Sequence, residues 1–249
     1  DEAQHSVTVD DFYCDAFEVR QSDYEKLMGE NPSYNKGANL PVENVSFYDA
    51  LEYCNKKSLA EGLSAVYKIG GKNEKSSISF PDVSVDLAAD GYRLLTEAEW
   101  EYACRAETTT IFSTGNWNNP KDANYEGSYP YLIEENYVRR TNPNVQPGLN
   151  RGKTIAVDSL SPNAFGLYNM HGNVGEWVFD YYGRYDEAAS ASDMNGKSVL
   201  NPLGSASGVY RVNRGGGFND FGKHLRSAYR SASNPLTKDR NLGFRIARN

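Results

Sequence analysis

Helical patterning stops before the middle of this chain, and that limits what it can fold into. Three short amphipathic stretches lie within the first 106 residues. Ser22-Asp23-Tyr24-Glu25 reads as a capping box, opening a helix through Leu27 and Met28. Ser46 opens a second helix with Asp49 at its third position, and Phe47, Ala50, Leu51 and Cys54 then share one face. Thr96-Glu97-Ala98-Glu99 opens a third, followed by Trp100, Ala103 and Cys104. The pattern predicts short helices packed on one side of a sheet. Beyond residue 107, Asn, Gly, Pro and Tyr become dense and periodicity fades. Residues 116–147 and 183–208 read as long loops with short strands. Loops of that length in a compact domain are either functional or unusually well tied down. No repeat and no linker interrupts the chain, so residues 1–249 are expected to form one α+β domain, rich in loops.

Composition excludes several functions. The net charge of −7 argues against general nucleic-acid binding, and no apolar run approaches membrane-spanning length. Three cysteines, Cys14, Cys54 and Cys104, are too few for a disulfide framework. Each lies inside an apolar pattern and reads as a buried thiol. There is no C-x-x-C and no Cys/His cluster, which sets a structural zinc site aside.

Five ordered motifs carry a resemblance. They are "LPVENVSFYDALEYCNKKS" (residues 40–58), "GYRLLTEAEWEYACRA" (91–106), "NAFGLYNMHGNVGEW" (163–177), "RGGGF" (214–218) and "NLGFRIAR" (241–248). Together they resemble the formylglycine-generating-enzyme, or sulfatase-modifying-factor, family from about residue 12 onward. The resemblance implies a loop-rich variant of the C-type lectin fold, α+β. The same residues have a physical reading. Gly172 and the triplet 215–217 mark backbone that only glycine allows. Glu176 beside Trp177 is a carboxylate that needs a partner if buried, either an arginine or a metal. Arg93, Arg105, Arg214, Arg226, Arg230 and Arg245 are candidate partners. Calcium-binding members of the family imply the other option. Carried over, the ligands would be the Asn169 side chain, the Gly172 and Val174 carbonyls and the Glu176 carboxylate, all hard oxygen donors.

Formylglycine-generating members use a cysteine pair between the "RGG" and "GFR" motifs. This chain has no cysteine after Cys104, so that chemistry has no visible thiol. The iron-binding branch uses clustered histidines, and His5, His171 and His224 are scattered. Asp220, His224 and Ser227 lie close in sequence, but a triad needs geometry that proximity does not supply.

The C-terminal segment also resembles another branch of the family, the variable proteins of diversity-generating retroelements. Its frame is Arg214-Gly215-Gly216, Arg226-Ser227-Ala228, Arg230, Pro235 and Gly243-Phe244-Arg245. Residues 211–249 are the candidate variable region. Randomised adenines in an AAC codon give Asn, Asp, His, Tyr, Ser, Gly and Phe, but never Lys, Glu, Gln, Met or Trp. Phe218, Asn219, Asp220, Phe221, His224, Tyr229, Ser231 and Ser233 all fall in the allowed set and are the candidate ligand-binding residues. Such residues suit recognition, because aromatic rings supply rigid contact area and small polar groups adapt. Phe218 and Phe221 could equally pack into the core, whereas Tyr229 is expected to be exposed.

The function implied is non-catalytic ligand binding, displayed at a bacterial or phage surface. The signal segment of an exported or lipid-anchored protein would precede Asp1. Partners implied are a variable protein or other surface ligand, with no nucleic acid, and a membrane only through a lipid anchor. No cofactor is required; calcium is the one the resemblance implies. The alternatives are a formylglycine-generating-type oxidoreductase or accessory protein with altered chemistry, and a carbohydrate-binding module.

Overall fold

A computed structural model describes residues 2, 4–73, 80–131, 148–185 and 199–249. Parts of both expected long loops, residues 132–147 and 186–198, lie outside the described residues. Among the described residues there are three α-helices, α1 (Gln21–Met28), α2 (Phe47–Ala60) and α3 (Glu97–Arg105), and eleven short strands. The first five are β1 (Val7–Thr8), β2 (Tyr13–Cys14), β3 (Tyr67–Asn73), β4 (Phe80–Val85) and β5 (Tyr92–Leu94). The rest are β6 (Gly175–Tyr181), β7 (Val199–Leu200), β8 (Arg211–Arg214), β9 (Ser231–Ser233), β10 (Leu242–Phe244) and β11 (Ile246–Arg248). Among the described residues no helix is long and apolar enough to cross a membrane.

The main sheet runs β10-β6-β8-β9, with β10 parallel to β6 and the other pairs antiparallel. A second sheet, β2-β11-β5, is antiparallel throughout. β3 and β4 form a hairpin, and β1 pairs in parallel with β7. The C-terminal strands bind the two larger sheets together, since β10 belongs to one and β11 to the other. Arg245, fully buried, is the residue between them.

Alternation along β6 explains where the helices sit. Successive side chains of a strand point to opposite faces. Trp177 enters one core with Phe47 and Leu51 of α2 and with Tyr24 of α1. Val178 enters a second core with Trp100, Ala103 and Cys104 of α3. The helices therefore flank both faces of β6, which corrects the expectation of packing on one side. A period of two places consecutive apolar residues in separate cores, a choice the helical periodicities could not reveal.

Local capping is realised twice as the sequence suggests. Ser46 Oγ accepts from the Asp49 N–H at 3.2 Å, while Asp49 Oδ2 accepts from the Ser46 N–H at 2.8 Å. Thr96 and Glu99 repeat the exchange at 3.2 and 2.8 Å. Each such cap stabilises its helix by about 1 kcal/mol. The box expected at Ser22 is absent. α1 begins two residues earlier, behind Arg20, with no side-chain cap. Its first N–H groups donate instead to loop carbonyls: Gln21 to Leu40 at 2.9 Å and Ser22 to Ala38 at 3.1 Å. Of the three thiols, Cys54 and Cys104 are buried and Cys14 is half-buried.

Candidate functional site

β8 delivers Arg214 to the sheet's end, and the glycine triplet turns the chain away from it. Gly215 and Gly216 have φ of 87° and 64°, a left-handed backbone that favours glycine. Gly217 is required for space, because a Cβ there would lie 2.2 Å from Asn241 Oδ1. Asp220 then closes the turn. Its Oδ2 accepts from the Gly217 N–H at 2.8 Å and from Asn241 Nδ2 at 2.7 Å.

The arginines of the frame fix the loop from below. Fully buried Arg214 donates to the carbonyls of Ser227, Ala228 and Tyr229 and pairs with Glu97 and Glu101 of α3. Arg230 grips both oxygens of Glu97, at 2.6 and 2.8 Å. Arg245 lies on Glu176 at 2.8 Å and donates to the carbonyls of Asp15 and Tyr168. Charge-assisted pairs out of water are expensive to break, because the partner left behind is buried and unpaired. Arg93 and Arg105 are likewise paired, with Glu99 and Glu101.

Above this frame lies a chain of rings. Tyr129 and Phe221 have centroids 4.5 Å apart, Phe221 and His224 6.1 Å, and His224 and Tyr229 4.9 Å. Phe221 is 41% exposed and Tyr129 56%. Asn219 is exposed, while Asp220, His224 and Tyr229 are half-buried. His224 Nδ1 stands 3.6 Å from Asp220 Oδ1. A short 3-10 turn, Gly222–Leu225, carries Phe221 at its start and His224 within it. Gly222 makes the approach to Tyr129 possible. Its N–H donates to the Tyr129 carbonyl at 2.9 Å, and a Cβ would lie 2.4 Å from the Tyr131 nitrogen.

Not all the sequence candidates join this face. Phe218 is 1% exposed and belongs to the interior, a correction: its N–H is held by the Asn173 carbonyl at 2.9 Å, which turns the ring inward. Tyr229 is less exposed than expected, because Arg214 holds its carbonyl and His224 covers its ring. Ser231 and Ser233 lie on the edge strand β9, where Ser233 Oγ accepts from Asn213 Nδ2 at 2.9 Å. They stand apart from the ring chain. Tyr129 was missed by the sequence reading. The one local signal was the run Tyr129-Pro130-Tyr131 inside a loop too long to be mere connection.

Among the described residues, groups that could do chemistry are buried or dispersed. Burial pushes the Cys104 thiol up to about 12 and His171 down to about 4. His171 Nε2 accepts from the Ser113 N–H at 3.0 Å, so its proton is on Nδ1, which donates to the Leu225 carbonyl at 2.7 Å. That imidazole is a neutral tie between loops. Ser227 is fully buried, so an Asp220–His224–Ser227 triad presents no accessible nucleophile. Among the described residues no three His, Cys, Asp or Glu side chains gather as metal ligands.

The calcium set carried over from the resemblance does not fit these residues. Both Glu176 oxygens are taken, Oε1 by Arg245 and Oε2 by Arg245 and by Trp100 Nε1 at 2.8 Å. Asn169 turns its Nδ2 to Glu18 and to the Val157 carbonyl, each at 2.9 Å, leaving Oδ1 buried without a partner. Gly172 and Val174 are buried between these groups, with the Gly172 N–H on the Gly215 carbonyl. A guanidinium stands where a cation would need the only carboxylate of the set.

The sulfatase-modifying factor enzyme 1-like domain matches residues 1–249. The chain belongs to this family. The chaperone protein LppX of Paenibacillus barcinonensis is 36% identical over 189 residues, covering 71% of this chain and 65% of that protein. The formylglycine-generating enzyme of Mus musculus is 31% identical over 269 residues, covering 97% of this chain and 67% of the enzyme. The chain thus spans about two thirds of the length of these relatives. Among solved structures, variable protein 1 of Treponema denticola superposes with a TM-score of 0.79 at 27% identity, covering 98% of this chain and 86% of that one. The fold is the C-type-lectin-like fold of the formylglycine-generating-enzyme type, α+β.

Proposed function

We propose that this family member is a non-catalytic ligand-binding protein, with its binding surface formed by diversified residues of the C-terminal segment. One observation carries the reading: within residues 211–230 the side chains divide into two populations. Arg214, Phe218, Ser227 and Arg230 are buried in the frame, while Asn219, Phe221, His224 and Tyr229 stand on it. A surface that changes while the fold stays constant needs this division. The likeness to a variable protein over nearly the whole chain supports it. Display at a cell surface, through an export signal or lipid anchor preceding Asp1, belongs to the same proposal.

The family's enzymes favour a second reading, an oxidoreductase acting on a thiol peptide. Against it stand a C-terminal segment without cysteine and a Cys104 thiol that burial keeps protonated. Incubating the protein with a cysteine-containing peptide and oxygen separates the two. The binding reading expects no turnover; formation of an aldehyde would overturn it.

The main test is genomic. Next to the gene, a reverse-transcriptase gene and a near-copy of the stretch encoding residues 211–249 are expected. The two copies should differ at adenines, in the codons for Asn219, Phe221, His224 and Tyr229 and not in those for Arg214, Gly215 or Arg230. Absence of any near-copy would remove the diversification claim.

A further inference from the structure

Four arginines of the C-terminal frame carry the same group into different surroundings. The side chains of Arg214, Arg230 and Arg245 are 0%, 2% and 0% exposed, and their carboxylates come from α3 and β6. Arg226 is 23% exposed, and its carboxylate is Glu2, itself 27% exposed, near the far end of the chain. The contact is a fork: Nη1 lies 2.5 Å from Oε2 and Nη2 2.8 Å from Oε1. Nε donates to the Lys223 carbonyl at 2.9 Å, so the guanidinium is oriented independently of Glu2. Tyr131 and Tyr229 flank it, each with its ring centroid 5.6 Å from Cζ. Tyr229 is also the last ring of the exposed chain.

We infer that Arg226 is a carboxylate-recognition site on the binding face, filled by the protein's own Glu2 until an acidic group of a ligand replaces it. The inference rests on the proposed binding role of this face and adds a ligand class, a protein or peptide presenting a carboxylate. The guanidinium fork matches a planar carboxylate through two parallel hydrogen bonds. The aromatic flanks shield those bonds on their sides. Glu97, Glu101 and Glu176 cannot leave their arginines without disturbing a helix or the central strand. Glu2 precedes β1, and its pair with Arg226 is partly open to water, so it gives way more readily than the sealed pairs. Arg226 also belongs to the frame, not to the candidate variable set. Variants would therefore share one charged anchor, with the changeable residues around it selecting the rest of the ligand.

The test uses Arg Nε–Hε resonances of the ¹⁵N-labelled protein, with glutarate and inorganic phosphate as probes. In Glu2→Gln, glutarate should shift one Nε–Hε signal saturably. Its apparent dissociation constant should be about tenfold lower than in the wild type if Glu2 fills the site about nine-tenths of the time. Adding Arg226→Lys keeps the charge, removes the fork and should abolish the response. Equal glutarate affinity in wild type and Glu2→Gln would overturn the inference. So would tighter binding of phosphate than of glutarate, or a response that survives Arg226→Lys. The parent reading fails separately. If a near-copy of the gene segment exists and glutarate does not bind, the anchor falls and the diversified face stands. If no near-copy exists and Glu2→Gln gains glutarate binding, the anchor stands on its own.

Discussion

Arg245 and Arg226 are nineteen residues apart in sequence and make the same kind of contact, a guanidinium on a glutamate. At Arg245 the pair is sealed between two sheets, with backbone carbonyls and an indole N–H completing it. At Arg226 it sits at the rim, reached by a segment that begins the chain. The difference teaches how one short stretch can be both rigid and changeable. The sealed pairs hold the loop's backbone through Arg214 and Arg230, so the rings above need hold nothing. A buried charge pair adds little net stability, but removing one member leaves the other stranded. Such pairs therefore specify a backbone more than they strengthen it.

The comparison breaks most visibly at Arg245→Ala, which leaves Glu176 buried and unpaired beside Trp100. A loss of about 3–5 kcal/mol is expected, read as a lower urea midpoint. Gly222→Ala comes next. Its Cβ would press on the Tyr131 backbone and cost about 1–3 kcal/mol. It should also part Tyr129 from Phe221, visible as a change in near-ultraviolet circular dichroism.

Glu18 sharpens the contrast, since it is a buried carboxylate held by amides, Asn169 and Asn173, with no arginine fork. Burial pushes it up to about 8 from its ordinary 4.5. Between those values the folded chain keeps a proton that the unfolded chain has released. Folding stability from this group therefore declines as pH rises across that window. The decline is at most about 1.4 kcal/mol per pH unit. Glu18→Gln should flatten it, measured as melting temperature against pH. His171 opposes it on the acid side. Held down at about 4 by burial, it stays neutral when folded, so stability falls as pH drops from 6.5 towards 4. His171→Gln should reduce that acid loss. The smallest stability effect belongs to the face itself: Asn219→Ala should stay within about 0.5 kcal/mol in the same urea measurement.

How much of this was legible in the sequence depended on distance along the chain. The caps at Ser46 and Thr96 were readable because each box closes within four residues. The start of α1 was not, since its N–H groups find carbonyls in a loop some eighteen residues on. Two phenylalanines three positions apart were indistinguishable by type. The glycine turn and the Asn173 carbonyl sent Phe218 inside, and Gly222 sent Phe221 out against Tyr129. That the arginines would find internal partners was foreseeable from composition. Which one would remain at the surface was not, because its partner Glu2 is at the opposite end of the chain.

The division between frame and face is tested most directly by a library randomised at Asn219, Phe221, His224 and Tyr229, displayed and selected against an unrelated folded protein. Most members should retain the parent's melting temperature within a few degrees, and selection should yield binders whose affinity disappears when the parent residues are restored. A second library, randomised at Arg214, Arg230 and Arg245, should contain almost no folded members. Unfolding throughout the first library, or folded members throughout the second, would contradict the account.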